Sequence, residues 1–507
     1  MTAICLCYEV HEPYQLRRYT VFDMGQNSIY EDDDHNCDAM LRAARLCYLP
    51  ANELMLKLIR RYGKDFRVSY AISGTVLDLF EQYVPEVLES FTALAQTGCV
   101  EFVAETAPHS LAFLYSRQEF DRQVQAQASR LKKLFGVKPV TFKHTECVYN
   151  NDLAAAVAEL GFKAVLAEGT DQVLGWRSAN YLYQPVSAPE LGLLLRNTSL
   201  SNDIGLRFSD TAWPAWPLTA DTFASWCHGL ADSADVINII NDYHVFGLRH
   251  SRESGIFDFL EALPEALLAH NDFHFATPAM AVKQFKPVGK MDIPQFISWE
   301  DESGDLTAWL GNDMQKDAIH ALYALASRVD RSGSAELRHD FDRLQTADHF
   351  RHMSTKWFSS EAPDRPSPFG SPYDAYITFM NVLADFEMRL KAVEEQQKAP
   401  DPAKAAPAKT APVKPGPAKS RTGQSPKTQP KTAKKAPGKA QASSKETAGG
   451  KKPVTGAKAV PAKKAEPAKK TEPNPKTAAG KKKAAAKGTA TTKENKPAAS
   501  PAGADQP

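Results

Sequence analysis

The chain of 507 residues has few of the features that mark secreted or membrane proteins. Its seven cysteines include no C-x-x-C pair and are odd in number, which does not fit a disulfide framework. The amino terminus, M-T-A-I-C-L-C-Y, lacks the charged start and long apolar core of a signal peptide. No apolar run approaches the roughly 20 residues that a membrane helix needs. We therefore expect a cytoplasmic protein with buried, reduced thiols and no membrane partner.

Positive and negative charges are unevenly distributed along the chain. Residues 398–507 hold 26 basic and 6 acidic residues, whereas residues 1–397 hold 35 basic and 54 acidic ones. Residues 396–507 also contain 17 of the 34 prolines, repeat P-A-K and A-K-K units, and have almost no aromatic residues. This composition predicts a disordered, basic, low-complexity tail. Such a tail suits contact with anionic polymers but not base stacking, and a solvated, flexible tail is the alternative.

Residues 1–300 alternate short apolar runs with amphipathic segments. The predicted strands are Ala3–Val10, Arg67–Ile72, Val100–Ala104, Val140–His144, Ala164–Ala167 and Val236–Asn241. Helical patterns separate them, among them Val76–Gln96 and Arg117–Phe135. Repeated strand–helix–strand units predict an α/β fold with a parallel sheet, either open or closed into a barrel. In barrels of this kind the functional residues gather at the carboxyl ends of the strands.

The pattern changes near residue 303, where amphipathic helices follow one another without strands between them. We therefore predict three parts: a (β/α) barrel that carries the catalytic residues at 1–300, a helical bundle at 301–395, and the tail at 396–507.

Two carboxylates follow predicted strands. Glu146 ends V-T-F-K-H-T, and Asp242 ends V-I-N-I-I-N. Two carboxylates that meet in one cleft suit glycoside hydrolysis, since one attacks or shields the anomeric carbon while the other protonates the leaving sugar. A solvated or helix-capping acid is the alternative for each residue alone. Tryptophans are frequent near these positions, and their flat faces suit sugar rings, although core packing explains about half of them equally well.

Five segments in order make residues 1–395 resemble glycoside hydrolase family 57, the α-amylase and 4-α-glucanotransferase family. The segments are His11-Glu12-Pro13, G-C-V-E-F-V at 98–103, H-T-E-C-V-Y at 144–149, I-N-D-Y-H-V-F-G at 240–247, and I-S-W-E-D-E-S-G-D-L-T-A-W-L-G-N-D-M-Q at 297–315. The resemblance implies a (β/α)7-type barrel followed by helices, with a retaining mechanism on α-glucans such as starch, glycogen or malto-oligosaccharides. It implies neither a metal nor another cofactor.

The same resemblance assigns roles to individual residues. Glu146 is the implied nucleophile and Asp242 the implied general acid and base. The implied substrate-binding residues are His11, Glu101, His244, Trp299 and Trp309. Whether water or a second sugar accepts the glycosyl group stays open at this point, because loop shape decides it.

Three positions depart from the family pattern. Glu12 stands where the first motif usually has Gln, and His244 stands two residues after the implied acid where Glu is usual. Val245, next to His244, stands where Thr is usual. Two alternatives follow from these histidines. His11, Asp242 and His244 could form a metal site for polysaccharide modification, or the chain could bind glucan without turning it over.

Overall fold

The computed structural model of this protein describes residues 1–356, 367–398 and 416. The strands in these ranges are β1 (Thr2–Val10), β2 (Val68–Ile72), β3 (Val100–Val103), β4 (Thr141–Lys143), β5 (Ala164–Ala167), β6 (Leu182–Pro185), β7 (Gly192–Leu195), β8 (Val236–Asp242), β9 (Phe273–Phe275) and β10 (Lys290–Met291).

The helices of the first part are α1 (Asp33–Ala43), α2 (Leu49–Tyr62), α3 (Gly74–Tyr83), α4 (Pro85–Gln96), α5 (Arg117–Phe135), α6 (Asn151–Glu159), α7 (Asp171–Leu174), α8 (Thr198–Gly205), α9 (Ala220–His228), α10 (Ile256–Leu268) and α11 (Pro278–Gln284). After them come α12 (Thr307–Leu310), α13 (Asp313–Ala324), α14 (Ala326–Ser332), α15 (Ala335–Leu344), α16 (Ala347–Arg351) and α17 (Pro372–Lys398). A π-helical turn, Ala44–Tyr48, joins α1 to α2.

Seven parallel strands form the barrel that the resemblance implied. Strand β1 lies between β2 and β8, β3 pairs with β2, and β5 lies between β4 and β7. Two parallel bridges close the ring, Ala104 with Phe142 beside β3 and β4, and Arg196 with Asn238 beside β7 and β8. The carboxyl ends of all seven strands therefore open at one end of the barrel, which we call the mouth.

Smaller strands extend this barrel. β9 runs parallel to the first residues of β1, and β6 pairs antiparallel with β7 and carries β10 at its edge. Small apolar side chains fill the barrel interior, among them Ala3, Cys5, Val103 and Ile240. Larger clusters lie between the barrel and its surrounding helices, as expected where both faces of a parallel sheet are covered.

One predicted helix is divided into two helices in the structure. We predicted a single helix over Val76–Gln96, but the chain forms α3 and α4 with an interruption at Val84. Pro85 is the cause, because a proline disfavours helical geometry in the residue before it and is well placed at the start of a new helix.

In the described residues after β10, helices follow one another without strands, which confirms the predicted helical part. Its core buries Phe341, Phe350, Phe379 and Phe386. The described part of Met1–Lys409 forms one compact unit, so the proposed boundary at 300 stays a prediction. Of the predicted tail, residues 399–415 and 417–507 lie outside the described residues. In the described ranges, no helix is both long and apolar enough to cross a membrane.

Candidate active site

Glu146 lies in a backbone conformation that non-glycine residues rarely adopt. It follows β4 in a short turn, Thr145–Cys147, and its φ is +49° while that of Cys147 is +52°. Left-handed φ values are costly for side chains other than glycine and persist only where neighbouring contacts hold them. The hydroxyl of Thr145 provides such a contact by donating to the Ser110 carbonyl at 2.9 Å. The turn thus presents Glu146 at the mouth of the barrel.

Two side chains hold the Glu146 carboxylate. The indole Nε1–H of Trp299 donates to Oε2 at 2.5 Å, and Nε2 of His109 lies 3.3 Å from Oε1. The backbone N–H of Trp299 also donates to the Glu146 carbonyl at 3.2 Å. The Glu146 residue is only 2% exposed, so its orientation is set by the protein rather than by bulk water.

His109 connects Glu146 to a second buried acid. Its Nδ1 lies 2.8 Å from Oε2 of Glu105, and its own φ is +54°. Burial lowers the pKa of His109, but the carboxylates of Glu105 and Glu146 outweigh burial and raise this pKa to about 10. Burial also raises the pKa of Glu105, although the contact with His109 opposes that rise. His109 is therefore an imidazolium near neutral pH, located between two carboxyl groups.

A buried ion pair lies beside this group. Lys143, the last residue of β4, pairs through Nζ with Glu9 of β1, and neither side chain is exposed. Oε1 of Glu9 lies 3.9 Å from Nε2 of His109. A buried charge is tolerated when it is paired in this way, and the mouth therefore contains cations and carboxylates in contact.

Asp242 is the last residue of β8 and shares its register with Glu9 of β1. Residues opposite each other in a parallel pair face the same side of the sheet, so Asp242 faces the barrel interior as Glu9 does. Its Oδ1 accepts a hydrogen bond from the backbone N–H of His244 at 2.9 Å. Glu146 and Asp242 therefore both lie at the carboxyl ends of strands around one mouth.

A cleft of about 630 Å³ opens at this mouth, within the range of small-molecule sites. Asp242, Trp299, Glu168, Arg196 and Arg351 are among its lining residues. Glu146 is not part of the lining, whereas Trp299, which donates to its carboxylate, is.

The indole ring of Trp299 also has cationic neighbours. Nζ of Lys143 lies 4.7 Å from its centroid, and Cζ of Arg196 lies 5.5 Å from it. Together with the hydrogen bond to Glu146, these contacts give Trp299 partners within the protein. Its predicted contact with sugar stays a prediction.

Three other predicted substrate-binding residues have partners within the protein. Trp309 is 0% exposed in the helical core, so its ring is not available to a sugar and its assignment to the cleft is corrected. Glu101 accepts hydrogen bonds from Thr141 at 2.5 Å and from the backbone N–H of Ala279 at 2.9 Å, and it does not line the cleft. His11 contacts Ser73 and Asp348 and stacks on His109 at 3.8 Å.

The alternative metal site is not assembled from the residues considered for it. In the described part of the chain, two groups bring potential ligand atoms together: His11, His109 and Asp348 form one, and Glu9, Glu105 and His109 form the other. Neither group is the trio of His11, Asp242 and His244. His109 belongs to both groups, and the carboxylates of Glu105 and Glu146 raise its pKa.

Several charged residues of the mouth were missed in the sequence. Lys143 ends β4, Glu168 follows β5 directly, and Arg196 follows β7 directly. Arg196 donates to the Ile240 carbonyl at 2.7 Å and pairs with Glu168 at 3.2 Å. The strand-end rule that found Glu146 and Asp242 also applies to Glu168, which directly follows the predicted strand Ala164–Ala167. Arg196 follows β7, which is not among the predicted strands. Arg351 belongs to α16, and no local signal in the sequence connects it to the barrel.

Comparisons with known proteins agree with this architecture. The sequence profile described as glycosyl hydrolase family 57 matches residues 5–294. A protein from Methanocaldococcus jannaschii that bears a provisional alpha-amylase name is 37% identical over 399 residues, which are 76% of this chain and 84% of that protein.

Solved structures share the fold at low sequence identity. A 4-alpha-glucanotransferase from Thermococcus litoralis has a TM-score of 0.58 at 14% identity, and the match covers 76% of this chain but only 60% of that one. A family 57 branching enzyme from Thermococcus kodakaraensis also has a TM-score of 0.58, at 13% identity over 79% of this chain and 92% of that one. The α-amylase AmyC from Thermotoga maritima has a TM-score of 0.52 at 12% identity, over 78% and 93% of the two chains.

Proposed function

This chain belongs to glycosyl hydrolase family 57, and from that premise we propose that it cleaves or transfers α-1,4-glucans with retention of anomeric configuration. Glu146 is the nucleophile and Asp242 the general acid and base in this proposal. The names of the relatives support the substrate class, since they include an amylase, a glucanotransferase and a branching enzyme.

One observation carries the proposal. Trp299 contacts the Glu146 carboxylate and lines the same cleft as Asp242. One side chain therefore contacts the first acid and shares a cleft with the second, which supports a joint role of the two acids at one site. The left-handed backbone of Glu146 supports the assignment further, because strained backbone is concentrated at functional sites.

The reaction has two displacements. In the first, a Glu146 oxygen attacks the anomeric carbon, the glycosidic C–O bond breaks, and the departing sugar oxygen takes the proton of Asp242. In the second, water or a sugar hydroxyl attacks the same carbon, its proton passes to Asp242, and the bond to Glu146 breaks. Asp242 therefore ends the cycle protonated, and Glu146 ends it ionised. Water as acceptor gives hydrolysis, and a sugar as acceptor gives transfer.

The test is incubation of the purified full-length protein with maltoheptaose, with products separated by length. Shorter products alone support hydrolysis, and longer products support transfer. The matched control pair is Asp242→Asn, which should lose activity, and Asp272→Asn, whose exposed side chain lies at the opposite end of the barrel and should have no effect. Unchanged maltoheptaose would contradict the proposal and favour glucan binding without turnover.

A further inference from the structure

Two of the residues that depart from the family pattern, Glu12 and His244, contact each other. Oε1 of Glu12, in the segment after β1, lies 3.3 Å from Nε2 of His244, in the turn after β8. These residues are far apart in the sequence, and only the β1–β8 pairing brings them together. An acid and a histidine at this distance attract each other when the imidazole is protonated. The departures therefore form one site rather than two unrelated substitutions.

His244 connects this contact to Asp242. Its Nδ1 lies 3.5 Å from Oδ1 of Asp242, within ion-pair distance, and its backbone N–H donates to the same oxygen. Its Nε2 also lies 2.6 Å from the hydroxyl of Tyr48, in the π-helical turn before α2. The imidazole thus contacts Asp242 on one nitrogen and both Glu12 and Tyr48 on the other.

Asp242 lines the cleft, and His244 contacts Asp242. This contact gives His244 a way to affect the reaction through the position of the Asp242 carboxyl group. Misplacement of a reacting group by about 1 Å can cost on the order of 10²-fold in rate, so a side chain that holds Asp242 has a measurable role.

We propose that Glu12 and His244 form a coupled pair that holds the Asp242 carboxyl group in the position from which it protonates the leaving sugar. This role rests on the proposed function. His244 is a positioning residue, since it acts through Asp242, and Glu12 and Tyr48 orient its ring. The family pattern has Gln at the position of Glu12 and Glu at the position of His244, so in this chain the carboxylate is at 12 instead of 244.

The test compares two leaving groups in the full-length protein. Maltoheptaose releases a sugar hydroxyl, which needs a proton from a well-placed acid, whereas 4-nitrophenyl α-maltoside releases nitrophenolate, which needs little help. We expect His244→Ala to lower kcat on maltoheptaose by roughly 10- to 100-fold. The initial burst of nitrophenolate, which reports the first displacement, should change by less than about 3-fold.

Three further variants make the test specific. His244→Asn keeps a side-chain donor near Asp242 and should restore most of the lost rate. Glu12→Gln should lower the rate on maltoheptaose in the wild-type background but not in the His244→Ala background, because coupled residues are not additive. His274→Asn changes a histidine of β9, at the opposite end of the barrel, and should have no effect. Glu12 has a side chain 23% exposed, so its variant keeps the test open if His244→Ala fails to fold.

The possible failures are distinguishable. Equal losses on both substrates, or additive effects of the Glu12 and His244 changes, would overturn the role of the pair while leaving the proposed function in place. A wild-type protein that turns over neither substrate would overturn the proposed function and this role together.

Discussion

Cys5 and Cys7 face the lower interior of the barrel, and Glu9, the next residue on the same face of β1, faces its mouth. The two thiols are 1% exposed among small apolar side chains, and burial raises the pKa of each well above its ordinary value. Glu9 is equally buried but is paired with Lys143. A step of two residues along one strand thus separates thiols packed among apolar side chains from a carboxylate with a buried cationic partner.

This difference shows how one barrel supports both stability and chemistry. The lower interior excludes water and keeps the thiols neutral, as expected for structural cysteines. The mouth holds Glu105, His109 and Glu146 in direct contact, and each charge there requires a partner because burial without one is costly. Changes at the mouth should therefore affect activity and charge balance, and changes below it should affect packing alone.

The largest expected effect concerns Glu146. Replacing it with Gln should lower turnover of maltoheptaose by on the order of 10⁴-fold or more, since the attacking carboxylate is lost while its shape is retained. Thermal unfolding of the variant should stay cooperative, which would separate lost chemistry from lost folding. Retention of a tenth or more of the wild-type rate would contradict the assignment of the nucleophile.

The next effect concerns the ion pair at the mouth. Lys143→Met leaves the buried Glu9 without its cation and should lower the free energy of unfolding by about 3–5 kcal/mol. Denaturant titration measures this change, with Lys133→Met on the exposed side of α5 as the matched control. A Lys143 variant as stable as its control would show that Glu9 does not depend on the pair.

A smaller effect is expected below the mouth. Cys7→Ser places a hydroxyl among apolar side chains and should lower the free energy of unfolding by about 1–3 kcal/mol without changing kcat. Cys37, which is partly exposed, supplies the control, because Cys37→Ser should change stability by less than about 0.5 kcal/mol. A loss of kcat in the Cys7 variant would contradict the separation between mouth and lower interior.

The last prediction concerns how the stability of the folded protein changes with pH. The pKa of His109 is raised from 6.5 to about 10 in the folded protein, so the folded state binds the extra proton more tightly than the unfolded state. Its contribution to stability is complete below pH 6.5 and is lost as the pH rises toward 10. Denaturant midpoints measured across this window should fall, and His109→Gln should flatten the slope. An identical slope in the variant would exclude His109 as its source.

The sequence predicted the local elements of the barrel well. Helix α5 has the predicted bounds, Arg117–Phe135, and β5 matches Ala164–Ala167. Asn150 caps α6, accepting from the N–H of Leu153 at 2.9 Å. The cysteine prediction is confirmed for six of the seven residues, which are buried free thiols. These features depend on hydrophobic spacing and on single residues, and both are visible in a short window of sequence.

The tryptophans show where that approach fails. Trp299 and Trp309 lie ten residues apart in one motif-like segment, yet one lines the cleft and the other is fully buried in the helical core. Composition does not separate the two environments, because an indole ring suits both a core and a sugar site. The environment of each tryptophan depends on the fold. Trp309 belongs to α12, which contacts α16, and its ring is buried in the helical core.

The amino-acid order alone determined the alternation of strands and helices and placed acids at the ends of β4 and β8, because side-chain periodicity and turn residues act over short distances. Only the tertiary structure decided which charges meet. Barrel closure brings Glu9 to Lys143, His109 to Glu146 and Glu12 to His244. Such contacts join residues from strands and loops distant in the chain, and the Coulomb energy that pairs them depends on their separation in space.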